Sequence, residues 1–81
     1  MVKNAISLFS SSGIGDLGLN ANHIDTVISC ELLEERMNLF RNNYPTTKCF
    51  QGDICNLKDK IIDYYNKTYC EPPFLILATP P

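Results

Sequence analysis

Glycines and carboxylates stand where predicted strands end. Gly13 and Gly15 follow an apolar run that ends at Phe9, Glu31 follows the run TVISC, and Asp53 comes soon after KCFQ. Glycines let the backbone approach a ligand closely, and a carboxylate after a second strand can accept hydrogen bonds from ribose hydroxyls. Because ligands of open α/β sheets bind at the carboxyl ends of strands, these residues together predict a site for a nucleotide-like ligand.

Each of these residues also has a purely structural explanation. A glycine-rich turn can be only a turn, a Glu after a strand can complement a helix dipole, and an Asp after Gly can cap a helix. Their order along one face favours ligand binding. The Glu31 carboxylate disfavours a 2′-phosphate, and the first turn lacks the G-x-x-x-x-G-K-[ST] pattern of a P-loop. The residues therefore favour a nucleoside without a pyrophosphate.

Four short apolar runs alternate with amphipathic segments. Strands are predicted over residues 2–9, 26–30, 48–51 and 74–78. Three helices are predicted: the first runs from an N-cap at Asp16 to Ala21, the second begins at Leu33 and ends just before Pro45, and the third follows an N-cap at Asn56. We expect Leu17 and Leu19 to face inward from the first helix. The alternation is typical of α/β proteins, and right-handed crossovers predict a parallel sheet in the order 3-2-1-4.

The composition restricts the class of protein. The 81 residues allow one small domain, and a net charge of −2 gives no electrostatic reason to bind nucleic acid. No apolar run is long enough to span a bilayer, so we expect a cytoplasmic protein with no membrane partner. Without a CxxC pair and with one histidine, no metal site is expected. We interpret Cys30, Cys49, Cys55 and Cys70 as reduced and structural.

The segments LFSSSGIGDLGL, ISCELLEERMNLFRNNYP, GDI and LILATPP resemble, in this order and spacing, the first four motifs of the DNA cytosine-5 methyltransferases. The resemblance covers nearly the whole chain and implies a Rossmann-like fold that binds S-adenosylmethionine. It implies a turn around the methionine part of the cofactor, with Ser11 in place of a family glycine. The cofactor-binding residues that it implies are Phe9, Ser11, Gly13, Glu31 for the ribose, Leu32 against the adenine, Asp53 and Ile54 at the adenine edge, and Pro81.

The same resemblance implies methyl transfer to carbon 5 of cytosine in duplex DNA, in a restriction-modification system. In this family a cysteine that attacks carbon 6 of a flipped cytosine follows the Pro-Pro pair. We therefore expect that cysteine just after Pro81 and no catalytic residue within residues 1–81. The chain is then the incomplete N-terminal part of a cofactor-binding catalytic domain, inactive alone, and DNA is bound by regions outside it.

Two other functions fit the residues. The chain could be a non-catalytic subunit of a split methyltransferase, completed by a partner that brings the cysteine. It could instead be an NAD-binding Rossmann half, although the turn SSSGIG lacks the G-x-G-x-x-G spacing. The all-apolar strand FLILA would normally have a further neighbour, so we expect its flank to pair with another copy or another chain.

Overall fold

Strands and helices alternate along the chain in the computed structural model, which describes residues 3–9 and 13–78 without the side chains of residues 14 and 15. The strands are β1 (Lys3–Leu8), β2 (Ile24–Glu31), β3 (Lys48–Gln51) and β4 (Leu75–Ala78), and the helices are α1 (Ile14–Ala21), α2 (Glu34–Asn43) and α3 (Ile54–Thr68). All four strands pair in parallel in the order β3-β2-β1-β4. The predicted α/β class and strand order are confirmed.

One face of the sheet, here called the α3 face, is apolar. Side chains from β1 and β2 pack on α3 in a single cluster, whose buried members are Ile6, Val27, Ile28, Cys30, Ile61 and Tyr65. Removing such aliphatic surface from water contributes about 25 cal/mol per Å² to folding. The α3 face therefore supplies the hydrophobic core of the domain.

The opposite face, here called the α1/α2 face, mixes apolar and polar groups. Met37 and Phe40 of α2 are fully buried, and beside them lie the buried polar residues Ser7, Asp16, Thr26, Ser29 and Glu31. Buried polar groups are tolerated when they are hydrogen-bonded, and those of Asp16 are. The α1/α2 face is therefore organised by directed bonds as well as by packing.

A bulge in β2 decides which of its side chains reach each face. Ala5 pairs with Thr26, but the next residue, Ile6, pairs with Ile28, so Val27 is an extra residue in the ladder. Paired residues of a parallel ladder point to the same face. Thr26 therefore lies with Ala5 on the α1/α2 face, while Ile28 joins the α3 face.

Two helices begin earlier than the sequence predicts. Gly13, in the left-handed conformation with φ 91°, is the N-cap of α1, so Asp16 lies in the first turn rather than at the cap. Asp53 caps α3, because its carboxylate accepts a hydrogen bond from the backbone N–H of Cys55 at 2.9 Å. The predicted caps Asp16 and Asn56 are thus wrong.

Some burial predictions are also wrong. Leu17 is 60% exposed rather than inward-facing. All four cysteines are free, but only Cys30 is buried, and Cys55 and Cys70 are exposed. Among the described residues, β4 has no second neighbour, and Ile76 is 56% exposed. No helix in the described ranges is long and apolar enough to cross a membrane.

Candidate functional site

The carboxyl ends of three strands line up along one edge of the sheet. Leu8 of β1 pairs with Cys30 of β2, and Cys30 pairs with Phe50 of β3. Glu31 pairs with Gln51 in the next row, and Phe9 follows directly on the end of β1 at Leu8. The structure thus brings the segments that carry Phe9, Glu31 and Asp53 to a single edge.

The turn before α1 is built around Gly13. A Cβ atom there would lie 2.5 Å from a ring carbon of Tyr44 and 2.8 Å from one of Phe40, and the φ of 91° disfavours any L side chain. The Gly13 carbonyl accepts hydrogen bonds from the Tyr44 hydroxyl at 2.8 Å and from the Asp16 N–H at 3.1 Å. Gly13 is therefore needed for close packing of this turn on α2.

Phe9 has an unusual backbone conformation. Its φ is 58°, in the left-handed region that non-glycine residues seldom adopt, and its side chain is half-buried. Such conformations often occur at functional sites, where the surrounding fold holds them in place. Phe9 thus marks the point where the chain leaves β1 toward the turn. The predicted site residues Ser11 and Pro81 lie outside the described residues.

Glu31 is the last residue of β2 and is only 6% exposed. Its Oε2 accepts a hydrogen bond from the Leu33 N–H at 2.7 Å, and its backbone carbonyl accepts one from the Gly52 N–H at 2.9 Å. The carboxylate is therefore oriented by the chain that leads into α2. A carboxylate so fixed can accept from the hydroxyls of a ligand without losing side-chain entropy on binding.

Leu32 is exposed beside this buried acid. Its side chain is 56% exposed, while its backbone carbonyl accepts a hydrogen bond from Gln51 Nε2 at 2.6 Å. The backbone is tied to β3 while the apolar side chain remains open to solvent. This arrangement suits a side chain that covers a flat ring. Gln51 is a contributor that the sequence did not indicate.

Asp53 and Ile54 occupy the start of α3. Asp53 is exposed, and one carboxylate oxygen is used in the cap on Cys55. A carboxylate has a second oxygen, so capping does not prevent it from accepting a ligand donor. Ile54 is half-buried against the α3-face cluster. Both structural and ligand-binding roles are thus compatible at Asp53.

Two titratable groups packed on the sheet have raised pKa values. Burial raises the pKa of Asp16, an effect opposed by hydrogen bonds from Thr26 at 2.7 Å and Ser7 at 3.2 Å. Burial also raises the pKa of the Cys30 thiol, and the negative charges of Glu31 and Asp53 raise it further. Both predicted acids therefore act on the same point at the end of β2.

The sequence analysis missed Asp16, Phe40 and Tyr44 as parts of this site. Asp16 joins α1 to β1 and β2 through hydroxyls, and the stacked rings of Phe40 and Tyr44, with centroids 4.6 Å apart, lie beneath the turn. The sequence signal for Asp16 is a serine in β1 and a threonine in β2, whose hydroxyls can donate to an acid in the helix between these strands. No comparable local signal exists for Tyr44.

Next to Glu31, an open depression of about 480 Å³ is lined by Leu33, Glu34, Glu35 and Arg36. It lies at the start of α2, beside Leu33, whose N–H donates to the Glu31 carboxylate. Within residues 3–9 and 13–78, no three His, Cys, Asp or Glu side chains are grouped so that they could hold a metal ion. The arrangement provides hydrogen-bond acceptors and apolar surface for an organic ligand.

Comparison with known proteins identifies the family. Residues 3–80 match the family model of C-5 cytosine-specific DNA methylase. The chain is 43% identical over 56 residues to the Type II methyltransferase M1.HgaI of Avibacterium volantium, covering 67% of this chain and 16% of that protein. It is 36% identical over 62 residues to the Type II methyltransferase M.AquIA of Picosynechococcus sp., covering 76% of this chain and 25% of that protein.

The matched segments thus span no more than a quarter of these curated relatives. The residues that the family model matches include all the strands and helices described above, and the β3-β2-β1-β4 parallel sheet is consistent with a Rossmann-like methyltransferase fold. The predicted family is confirmed. The chain belongs to the C-5 cytosine-specific DNA methylase family.

Proposed function

We propose that this chain is the S-adenosylmethionine-binding part of a DNA cytosine-5 methyltransferase. The observation that carries the proposal is the common carboxyl edge of β1, β2 and β3, where the Glu31 carboxylate is oriented by the Leu33 N–H and the Glu31 carbonyl is bonded to Gly52, next to Asp53. Ligands of open parallel sheets bind outside this edge. Membership of the DNA methylase family supports a methyl donor as that ligand.

The adenosine half of the cofactor is assigned to β2 and β3. Glu31 accepts hydrogen bonds from the ribose hydroxyls, and the exposed Leu32 side chain packs on the adenine ring. Asp53 accepts from the adenine amino group with the carboxylate oxygen that does not cap α3, and Ile54 lies at the ring edge. In these assignments Glu31 binds the ribose and Asp53 binds the adenine, so each half of the nucleoside has one acid.

The methionine half is assigned to the β1–α1 turn. Gly13 permits close approach of the backbone, and Phe9 packs beside the sulfonium, whose positive charge favours an aromatic neighbour. Ser11 and Pro81 complete the proposed set. When bound, the cofactor supplies an electrophilic methyl group.

Methyl transfer also needs a nucleophile and residues that bind DNA. We propose that the cysteine which attacks carbon 6 of a flipped cytosine follows Pro81, and that DNA-binding regions lie elsewhere in the same polypeptide or in a partner. The net charge of −2 is consistent with DNA contacts made elsewhere. The 81 residues alone are then inactive, and the whole enzyme works in the cytoplasm as part of a restriction-modification system.

Cofactor binding is tested by titration calorimetry of the 81-residue chain with S-adenosylmethionine and, separately, NAD. We expect S-adenosylmethionine to bind and NAD not to bind. Glu31→Gln keeps an acceptor for the Leu33 N–H but replaces a charged oxygen by an amide. It should therefore raise the Kd about tenfold to a hundredfold.

Glu71→Gln is the matched control, because Glu71 is exposed in the segment before β4. It should leave the Kd unchanged. Binding of NAD in place of S-adenosylmethionine, by a chain that circular dichroism shows to be folded, would contradict the proposal.

A second arrangement of the same enzyme is a split methyltransferase, in which another polypeptide brings the cysteine. Reading the coding frame beyond Pro81 separates the two: a following cysteine supports one continuous chain, and a stop codon supports a partner. Transfer of a labelled methyl group to cytosine in duplex DNA tests either assembly. A complete assembly that binds the cofactor but labels no duplex would contradict the enzymatic proposal.

A further inference from the structure

Tyr44, just after α2, reaches the turn before α1. Its hydroxyl donates a hydrogen bond to the Gly13 carbonyl at 2.8 Å, although 31 residues separate them in sequence. Its ring and that of Phe40 fill the space where a side chain at position 13 would lie. The contact therefore joins the second βα unit to the glycine of the first.

The half-buried Tyr44 is held through both its ring and its backbone. Its ring stacks on Phe40, which is fully buried. Its backbone N–H donates to the Phe40 carbonyl at 2.8 Å, and its carbonyl accepts from Thr47, whose own hydroxyl donates to the Thr26 carbonyl at 2.7 Å. Since both neighbours are anchored, the hydroxyl has little freedom to leave Gly13.

The hydroxyl is also kept as a donor. Burial and the negative charge of Asp16 raise the pKa of Tyr44, so the phenol stays protonated well above neutral pH. The Gly13 carbonyl then has two donors, the Tyr44 hydroxyl and the Asp16 N–H. One of these donors lies in α1 and the other directly after α2.

Because a peptide unit is planar, holding the Gly13 carbonyl also sets the orientation of the Gly13–Ile14 peptide. The Gly13–Ile14 peptide is trans, so its N–H points opposite to its C=O. With the carbonyl held toward α2, the N–H of Ile14 is directed away from α2. That N–H is among the first four of α1, which have no acceptor within the helix.

We propose that Tyr44 is a positioning residue for the methionine half of the cofactor: its hydroxyl sets the orientation of the Gly13–Ile14 peptide at the start of α1. The proposal rests on the proposed cofactor and deepens it by separating the two halves of the ligand. Tyr44 acts through Gly13, whereas Glu31 and Asp53 act on adenosine. Loss of the hydroxyl should therefore weaken only ligands that carry the amino-acid part.

Tyr44→Phe removes the hydroxyl and keeps the stacked ring. We expect it to raise the Kd of the full chain for S-adenosylmethionine about threefold to tenfold, the effect of one lost hydrogen bond. The Kd for 5′-methylthioadenosine, which lacks the amino-acid part, should change less than about twofold. Titration calorimetry measures both values.

Tyr65→Phe is the matched control. Its hydroxyl is buried on the α3 face and has no hydrogen-bond partner among the residues that the structure describes. This variant should leave both dissociation constants unchanged. Equal losses for the two ligands in Tyr44→Phe, or no loss for either, would overturn the positioning role.

A second measurement needs no ligand. In Tyr44→Phe, the backbone amide of Asp16 should exchange its hydrogen faster, because its acceptor on Gly13 is no longer held from the other side. Amides of α3 should keep their rates. Unchanged exchange at Asp16 would reject the inference even if the wild-type chain bound neither ligand, whereas failure of both ligands with faster exchange would reject the proposed cofactor alone.

Discussion

The two faces of the sheet are stabilised by different interactions. On the α3 face, Ile6, Ile28 and Ile61 pack without directed bonds. On the α1/α2 face, the Asp16 carboxylate accepts hydrogen bonds from strand hydroxyls of Ser7 and Thr26. Apolar packing depends on volume and area, whereas a buried hydrogen-bond network depends on the position of each atom.

This difference coincides with the location of the candidate site. The turn at Gly13 is fixed by contacts on the α1/α2 face, through Asp16 and Tyr44. The α3 face contributes mainly the support under β1 and β2. The hydrogen-bond network thus fixes atomic positions in the half of the domain where the ligand is proposed to bind. The apolar cluster adds stability that tolerates small changes of shape.

The largest effect is expected from Asp16→Ala. It removes the carboxylate to which the Ser7 and Thr26 hydroxyls donate in a buried region, so the free energy of unfolding should fall by about 3–4 kcal/mol. Urea denaturation followed by circular dichroism measures this change. Asp16→Asn keeps one acceptor oxygen and should lose roughly half as much. Equal losses for the two variants would mean that packing, not hydrogen bonding, dominates this face.

A smaller loss is expected on the α3 face from Ile61→Ala. Ile61 is 4% exposed, and its truncation leaves a cavity in the cluster, which should cost about 2–3 kcal/mol. Ile61→Val removes one methylene and should cost about 1 kcal/mol. The same denaturation experiment applies. If valine cost as much as alanine, the α3 face would depend on exact shape, and the contrast between the faces would disappear.

The smallest effect is a difference in pH dependence. The pKa of Asp16 is raised by burial above its ordinary value of 3.8, so the folded chain binds more protons at this group than the unfolded chain does. Its contribution is therefore greatest below pH 3.8 and falls as the pH rises through the raised value. The stability difference between wild type and Asp16→Asn should be larger near pH 4 than at pH 7.

Ile61→Val provides the comparison, because no titratable group is changed on the α3 face. Its penalty should be the same at both pH values. A penalty for Asp16→Asn that grew with pH would mean that the buried carboxylate is more stable charged than neutral.

Most of the fold could be predicted from the sequence. The helix predicted from Leu33 is present as α2, and β3 has its predicted bounds, 48–51. The strand order follows from right-handed crossovers and needs no side-chain detail. The family resemblance is confirmed, while the assigned cofactor-binding residues stay predictions.

The errors concern interactions between residues distant in sequence. Aspartate is a residue type that often caps helices, but the Asp16 carboxylate instead accepts hydrogen bonds from the Ser7 and Thr26 hydroxyls in the interior. Asn56 is a good cap by type, yet Asp53 is already placed to bond the N–H of Cys55. Leu17 is apolar but lies on the outer side of a short helix. None of these outcomes can be obtained from local pattern alone.

The bulge at Val27 has a consequence for how β2 of this chain tolerates insertions and deletions. Because β2 reverses its side-chain alternation at that residue, Thr26 reaches Asp16 while Ile28 and Cys30 face α3. Deleting Val27 would make Thr26 and Ile28 adjacent in a regular ladder, so both sets would keep their faces and the α3-face cluster would lose only the Val27 side chain. Sequence comparisons of β2 should therefore be made as two blocks joined at position 27, and an insertion or deletion within either block changes what the strand presents.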